Sequence, residues 1–189
     1  MSAMRLTKIK TVADLLRWEP YLPDAYQAEL RSIECPAKVG LHKVPKDLNG
    51  LTLEELDRFW QSRTPADLFE AAGHSLFGWT RKRTMAAKAL PMMGVLNFVT
   101  AELERIARLF EAANTPPTAQ ELMAGCDALD FGTFGLADWY TLRMGLHDHD
   151  KAFSTPWVRI YQCRANDAAT AAFSRRLAEI QRREMQMKR

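Results

Sequence analysis

The stretch Met92-Met93-Gly94-Val95-Leu96-Asn97-Phe98-Val99-Thr100-Ala101-Glu102-Leu103-Glu104-Arg105-Ile106-Ala107-Arg108-Leu109-Phe110-Glu111-Ala112-Ala113 decides the fold. Val95, Val99, Leu103, Ile106 and Phe110 recur at spacings of four, four, three and four. A turn of 3.6 residues places all five on one face of a helix, whereas a strand would scatter them over both faces. Glu104 and Arg108 fall one turn apart on the other side, where a charged pair meets water. At ~1.5 Å per residue the helix over 92–113 spans about 30 Å, enough to be the central strut of the molecule.

Helix boundaries frame this strut on both sides. Thr11 is placed to cap a short helix carrying Val12, Leu15, Leu16 and Trp18, and Pro20 stops it. A second short helix fits residues 23–32, with Tyr26 and Leu30 on one face. Residues 35–50 hold Pro36, Gly40, Pro45, Asn49 and Gly50 and read as a connecting loop, with room for a short extended pair around 39–44. Residues 6–9 are the other place where a strand fits. Thr52 and Glu55 then form a capping box ahead of Leu53, Leu56, Phe59 and Trp60. Thr64, Pro65 and Asp67 repeat the start signal, and Gly78 is the matching stop.

Asn114, Thr115, Pro116 and Pro117 end the long helix, and Thr118 with Glu121 caps the next, which Leu122, Met123, Cys126 and Leu129 are expected to line. Phe131, Gly132, Phe134 and Gly135 read as a tight apolar turn into a helix over 136–144 that Gly145 terminates. An acidic loop over 146–154 follows. Thr155, Pro156 and Trp157 open a helix carrying Val158, Ile160 and Tyr161. The last helix is expected to start at Asn166, with Phe173, Leu177 and Ile180 as its buried face.

These boundaries predict an all-α chain: a compact orthogonal bundle of about seven to nine helices around one long central helix, with at most a small strand pair near the N-terminus. A length of 189 residues fits a single helical domain, with N-terminal helices and loop over 1–50, a helical core over 51–165, and a C-terminal helix with a basic end over 166–189. Hydrophobic residues at 47% and charged residues at 26% give the balance of a chain that folds around a core. The longest apolar stretch, 89–99, is too short for a bilayer and contains Pro91, Gly94 and Asn97. With no apolar signal-peptide core at the N-terminus, a cytoplasmic location is expected. Cys35, Cys126 and Cys163 are odd in number and far apart, which fits free thiols better than disulfides or a zinc site.

Candidate chemistry is sparse. His147-Asp148-His149-Asp150 brings two imidazoles and two carboxylates together, a set that suits a divalent transition metal, yet a solvated loop explains it as well. His74 and His42 lack a nearby nucleophile motif, and Ser75 is a helical neighbour of His74 and so does not face it. Gly125, Gly132, Gly135 and Gly145 are too dispersed to cradle phosphates, with Asp138 where a third glycine of the run would fall. The reading is of no catalytic, cofactor-binding or metal site, and the partner-binding residues stay unassigned. Two basic segments, Arg81, Lys82, Arg83 and Lys88, and Arg175, Arg176, Arg182, Arg183, Lys188 and Arg189, could neutralise nucleic-acid phosphates. Glu179 and Glu184 interrupt the second, and cations there also suit a helix C-terminus. The net charge of +3 demands no polyanion. Trp60, Trp79, Trp139 and Trp157, with Met92, Met93, Met144, Met185 and Met187, exceed the needs of one small core and could line an adaptable groove for helical partners.

Val44-Pro45-Lys46-Asp47-Leu48 followed by Leu51-Thr52-Leu53-Glu54-Glu55-Leu56 resembles a pattern in tail assembly chaperone-like proteins of long-tailed phages and prophages. The resemblance continues through Leu76-Phe77-Gly78, the long helix over 96–110, the segment Phe131-Gly132-Thr133-Phe134-Gly135-Leu136-Ala137-Asp138-Trp139-Tyr140, and Pro156-Trp157, about residues 40–180 in all. It implies a non-structural, non-enzymatic protein that binds the tape-measure protein, and tail-tube subunits too, before the tail is assembled. The alternative is a small helical DNA-associated phage protein, for packaging or regulation, that uses the basic segments.

Overall fold

The computed structural model describes residues 9–129 and 131–187. It is all-α, with ten α-helices among the described residues and one two-stranded antiparallel hairpin. Two compact units divide the chain, Met1–Arg105 and Ile106–Arg189. The division falls inside the long helix. The strand option over 6–9 lies largely outside the described residues.

In the first unit, α1 (Val12–Trp18) starts at a capping box in which Thr11 and Asp14 each satisfy the other's backbone N–H. After a 3-10 turn over Glu19–Tyr21, α2 runs over Asp24–Arg31. The hairpin pairs β1 (Lys38–Val39) with β2 (His42–Lys43), matching Lys38 to Lys43 and Val39 to His42, so the extended pair stands where the loop allowed one. Capping boxes at Thr52/Glu55 and Thr64/Asp67 begin α3 (Leu53–Trp60) and α4 (Pro65–Phe77). Gly78 ends α4 in the left-handed conformation at φ 65°, where its N–H reaches the His74 carbonyl and that of Trp79 the Gly73 carbonyl. The short α5 (Arg81–Met85) follows.

The long helix α6 is Ala89–Ala112, 24 residues and about 36 Å. It begins three residues earlier than expected because Pro91 falls in the first turn, where backbone N–H groups have no helical partner to lose. Gly94 and Asn97 seat the chain that follows α2. A Cβ on Gly94 would strike the Glu34 carbonyl, and Asn97 Nδ2 donates to the carbonyls of Leu30 (2.9 Å) and Ile33 (3.0 Å). The other end of this unit is tied by Val12 N–H to Ala87 O and Ala89 N–H to Lys10 O, both 3.0 Å. Leu53, Leu56, Phe69, Met92, Val95 and Val99 form the centre of the core, none more than 1% exposed.

In the second unit, α7 (Ala119–Met123) starts at the Thr118/Glu121 capping box. A 3-10 turn over Cys126–Ala128 leads to α8 (Gly132–Met144), which Gly145 ends at φ 62°. Gly132 and Gly135 lie within α8, so the expected apolar turn is helical. The expected acidic loop contains α9 (His149–Phe153), because the Asp148 side chain accepts the Asp150 N–H and caps it.

The last helix, α10, is continuous over Trp157–Met187. The start expected at Asn166 is absent. Ala165, Ala168, Ala169, Ala171 and Ala172 surround that position, and their helix propensity leaves no reason for a break. Trp157 and Ile160 are buried, with Phe110 6.0 Å from Trp157 and 5.7 Å from Tyr161 between ring centres. No helix among the described residues is long and apolar enough to cross a membrane.

Candidate functional site

His149 Nε2 lies 2.9 Å from Asp138 Oδ1 and its ring stacks on Phe134 at 5.0 Å. Asp148 is committed to capping α9 and Asp150 supplies the capped N–H, so Asp148, His149 and Asp150 serve a helix start and a side-chain pair. No group of three or more metal-ligating side chains converges among the described residues. His74 is exposed on α4 and makes no hydrogen bond to Ser75, whose buried Oγ has no partner. The Gly125, Gly132 and Gly145 backbones adopt positive φ as turn and cap positions.

A polar cleft of about 560 Å³ opens between α3, α4 and α5, with Arg58, Asp67, Glu70, His74 and Arg81 on its walls. Its charges are largely spoken for. Arg81 pairs with Glu70 at 3.5 Å. The Thr64 hydroxyl and N–H hold the Asp67 carboxyl below the usual carboxylate range.

A second cleft in the first unit has a different character. Lys38, Arg83 and Lys88, from β1, α5 and the α5–α6 connection, surround a space of about 510 Å³ floored by Val39, Trp79 and Pro91. Among the described residues, no carboxylate lines it. One wall is braced by a cluster that the sequence did not reveal. Trp79 Nε1 donates to His42 Nε2 at 3.2 Å, Arg83 Nη2 stands 3.2 Å from the same nitrogen, and the Arg83 guanidinium lies 4.9 Å over the Trp79 ring. Indole and guanidinium only donate, so His42 Nε2 carries the lone pair and its proton sits on Nδ1. The spacing of 37 residues between His42 and Trp79 gives no sequence signal for this contact.

The second unit is short of core and rich in exposed apolar side chains. Among the described residues, twelve of the sixteen large hydrophobic residues that stand exposed lie in it, against seven of the twenty-eight buried hydrophobic ones. Leu122, Met123 and Leu129, expected to line a helix against the core, are 51%, 82% and 65% exposed. On α10, Phe173, Leu177 and Ile180 were expected to be buried and are instead 59%, 43% and 54% exposed. Helical periodicity reports that side chains share a face, and among the described residues this face is left uncovered. Of the tryptophans and methionines, Trp79, Trp157 and Met92 are core, while Trp60, Met144, Met185 and Met187 are exposed.

The proximal half of α10 is held well by contrast. Arg143 grips Asp167 through two 2.9 Å bonds, and Asp167 titrates below its ordinary range because of that grip. Arg164 donates to Asn114 Oδ1 and lies 5.6 Å over the Trp139 ring, and Arg175 reaches the Pro116 carbonyl. No protein-family model matches the chain, and no curated protein or solved structure is significantly similar to it.

Proposed function

We propose that this protein is a non-catalytic assembly helper of the tail-chaperone kind, which holds an apolar-striped helical client, the tape-measure protein, before assembly. The observation that carries this reading is the exposed stripe of Phe173, Leu177 and Ile180 on α10. Its spacings of four and three are those with which one helix packs along another. Arg176 and Arg183, at i+3 from Phe173 and Ile180, border the stripe, so a client helix with acidic residues on that flank is favoured. A tape-measure protein before assembly presents long apolar stripes that aggregate unless covered. Covering them requires no bond to be made or broken.

Co-expression with the tape-measure protein encoded nearby tests the reading. The client is expected to stay soluble and to co-purify. Replacing Phe173, Leu177 and Ile180 together by serine is expected to abolish co-purification and leave the melting temperature of the free protein within about 2 °C, because exposed side chains contribute little to folding. A client that is insoluble with either protein, or captured equally by both, overturns the proposal.

A further inference from the structure

We infer that the cleft bounded by Lys38, Arg83 and Lys88 binds the phosphates of a nucleic-acid backbone without reading its sequence. This inference concerns the first unit and stands independently of the client-binding reading of α10.

Three features of the cleft carry it. Its cations come from segments about fifty residues apart in the chain and converge only in the fold. None of the three has a carboxylate partner among the described residues, in contrast to Arg81, Arg105 and Arg143. Unpaired cations gathered in one concavity raise the local potential and attract anions.

Arg83 is also fixed before any ligand arrives. Its Nη2 stands 3.2 Å from His42 Nε2, whose one lone pair it shares with the Trp79 indole N–H, and its guanidinium carbon lies 4.9 Å over the Trp79 ring. The remaining donors form the planar fork that matches phosphate oxygens, and little rotamer freedom is left to lose on binding. His42 is thus a positioning residue.

The choice of nucleic acid over a single small anion rests on what surrounds the cleft. Lys43 lies opposite Lys38 in the hairpin register and is exposed, so positive charge continues along the hairpin side of the cleft. A ligand with phosphates repeated along its length meets all of these. Sequence reading is not expected, because Trp79 is only 6% exposed and offers no face for a base to stack on.

The test uses the full chain and a fluorescein-labelled 20-base-pair DNA duplex of arbitrary sequence, titrated by anisotropy. At about 50 mM salt, binding in the micromolar range is expected, with a log–log salt slope near −3 for three neutralised phosphates. A duplex of shuffled sequence should bind within about twofold. The Lys38→Glu/Lys88→Glu variant should bind at least about tenfold more weakly with a slope reduced by about 2, at an unchanged melting temperature. His42→Ala should weaken binding several-fold with all cations retained, and Arg175→Glu/Arg176→Glu should bind as the parent does. Binding unaffected by the Lys38/Lys88 reversal, no binding at this salt, or displacement by polyglutamate as effective as by unlabelled DNA would each overturn the inference, the last in favour of an acidic protein segment.

Discussion

Glu102 shows how much one side chain on the long helix holds. Its carboxylate accepts Arg105 Nε and Nη2, each at 2.8 Å, and the Leu48 backbone N–H at 3.0 Å, while Arg105 also donates to Asn49. The approach to α3 is thereby fastened to α6 within the first unit. The Arg105 bonds, and then the Leu48 N–H, lower the Glu102 pKa from its ordinary 4.5. A depressed carboxylate contributes stability that is fully present above the unfolded value and is lost as pH falls through the folded one. Glu102→Gln is therefore expected to cost about 1–2 kcal/mol at pH 7, since bonds to a charged acceptor are the stronger kind. As pH falls through the lowered folded value the two proteins should converge, because the native carboxylate is then protonated as well. Urea unfolding at pH 7 and at successively more acid pH reads both limbs, and a gap between the proteins that stays constant with pH would refute the assignment.

Among the elements, α6 is legible from its own residues, and so are the capping boxes at Thr52/Glu55 and Thr118/Glu121 and the helix starts at Thr11 and Thr64, because capping is a contact between residues three apart. What covers a helix is decided by partners distant in the chain. That is why Phe173, Leu177 and Ile180 were read as a buried face, and why the His42–Trp79–Arg83 cluster was invisible. Asn166 differs: the helix start expected there is absent, because the alanines around it continue α10 without a break. Gly94 illustrates a residue whose presence was noted and whose purpose came only from the fold. In a helix interior glycine is less favourable than alanine by about 1 kcal/mol, so Gly94→Ala would stabilise an uncrowded helix. Here the added methyl meets a backbone carbonyl, that of Glu34, which cannot rotate away. The net expectation is a loss of about 1–3 kcal/mol and a melting temperature lower by about 3–10 °C. Gly50→Ala meets nothing within 4 Å and should change melting by no more than about 2 °C. Equal melting of the Gly94 and Gly50 variants would show that the segment after α2 does not press on α6.

At the scale of the whole molecule the uneven distribution of core governs stability. Among the described residues, twenty-one buried hydrophobic residues belong to Met1–Arg105 and seven to Ile106–Arg189, a threefold difference that the first unit's greater length, by about a quarter, does not explain. Each fully buried Leu, Phe or Val contributes about 1.5–3 kcal/mol of transfer free energy, so most hydrophobic stabilisation resides in the first unit. Exposed large apolar side chains follow the opposite distribution. Local opening free energies track buried contacts, which places the second unit at the low end of the range. Hydrogen exchange should therefore find its slowest amides in α3, α4 and the part of α6 up to Val99. The distal turns of α10, beyond Phe173, should exchange fastest of the described helices, and α7 nearly as fast. This gradient suits the client-binding proposal, because a surface kept open for a partner cannot also be packed into the protein's own core. Adding the client should slow exchange along residues 173–187 while leaving α3 and α4 unchanged. Protection that is uniform across both units in the free protein would contradict the core distribution, and a client-induced slowing confined to α3 and α4 would move the binding surface off α10 altogether.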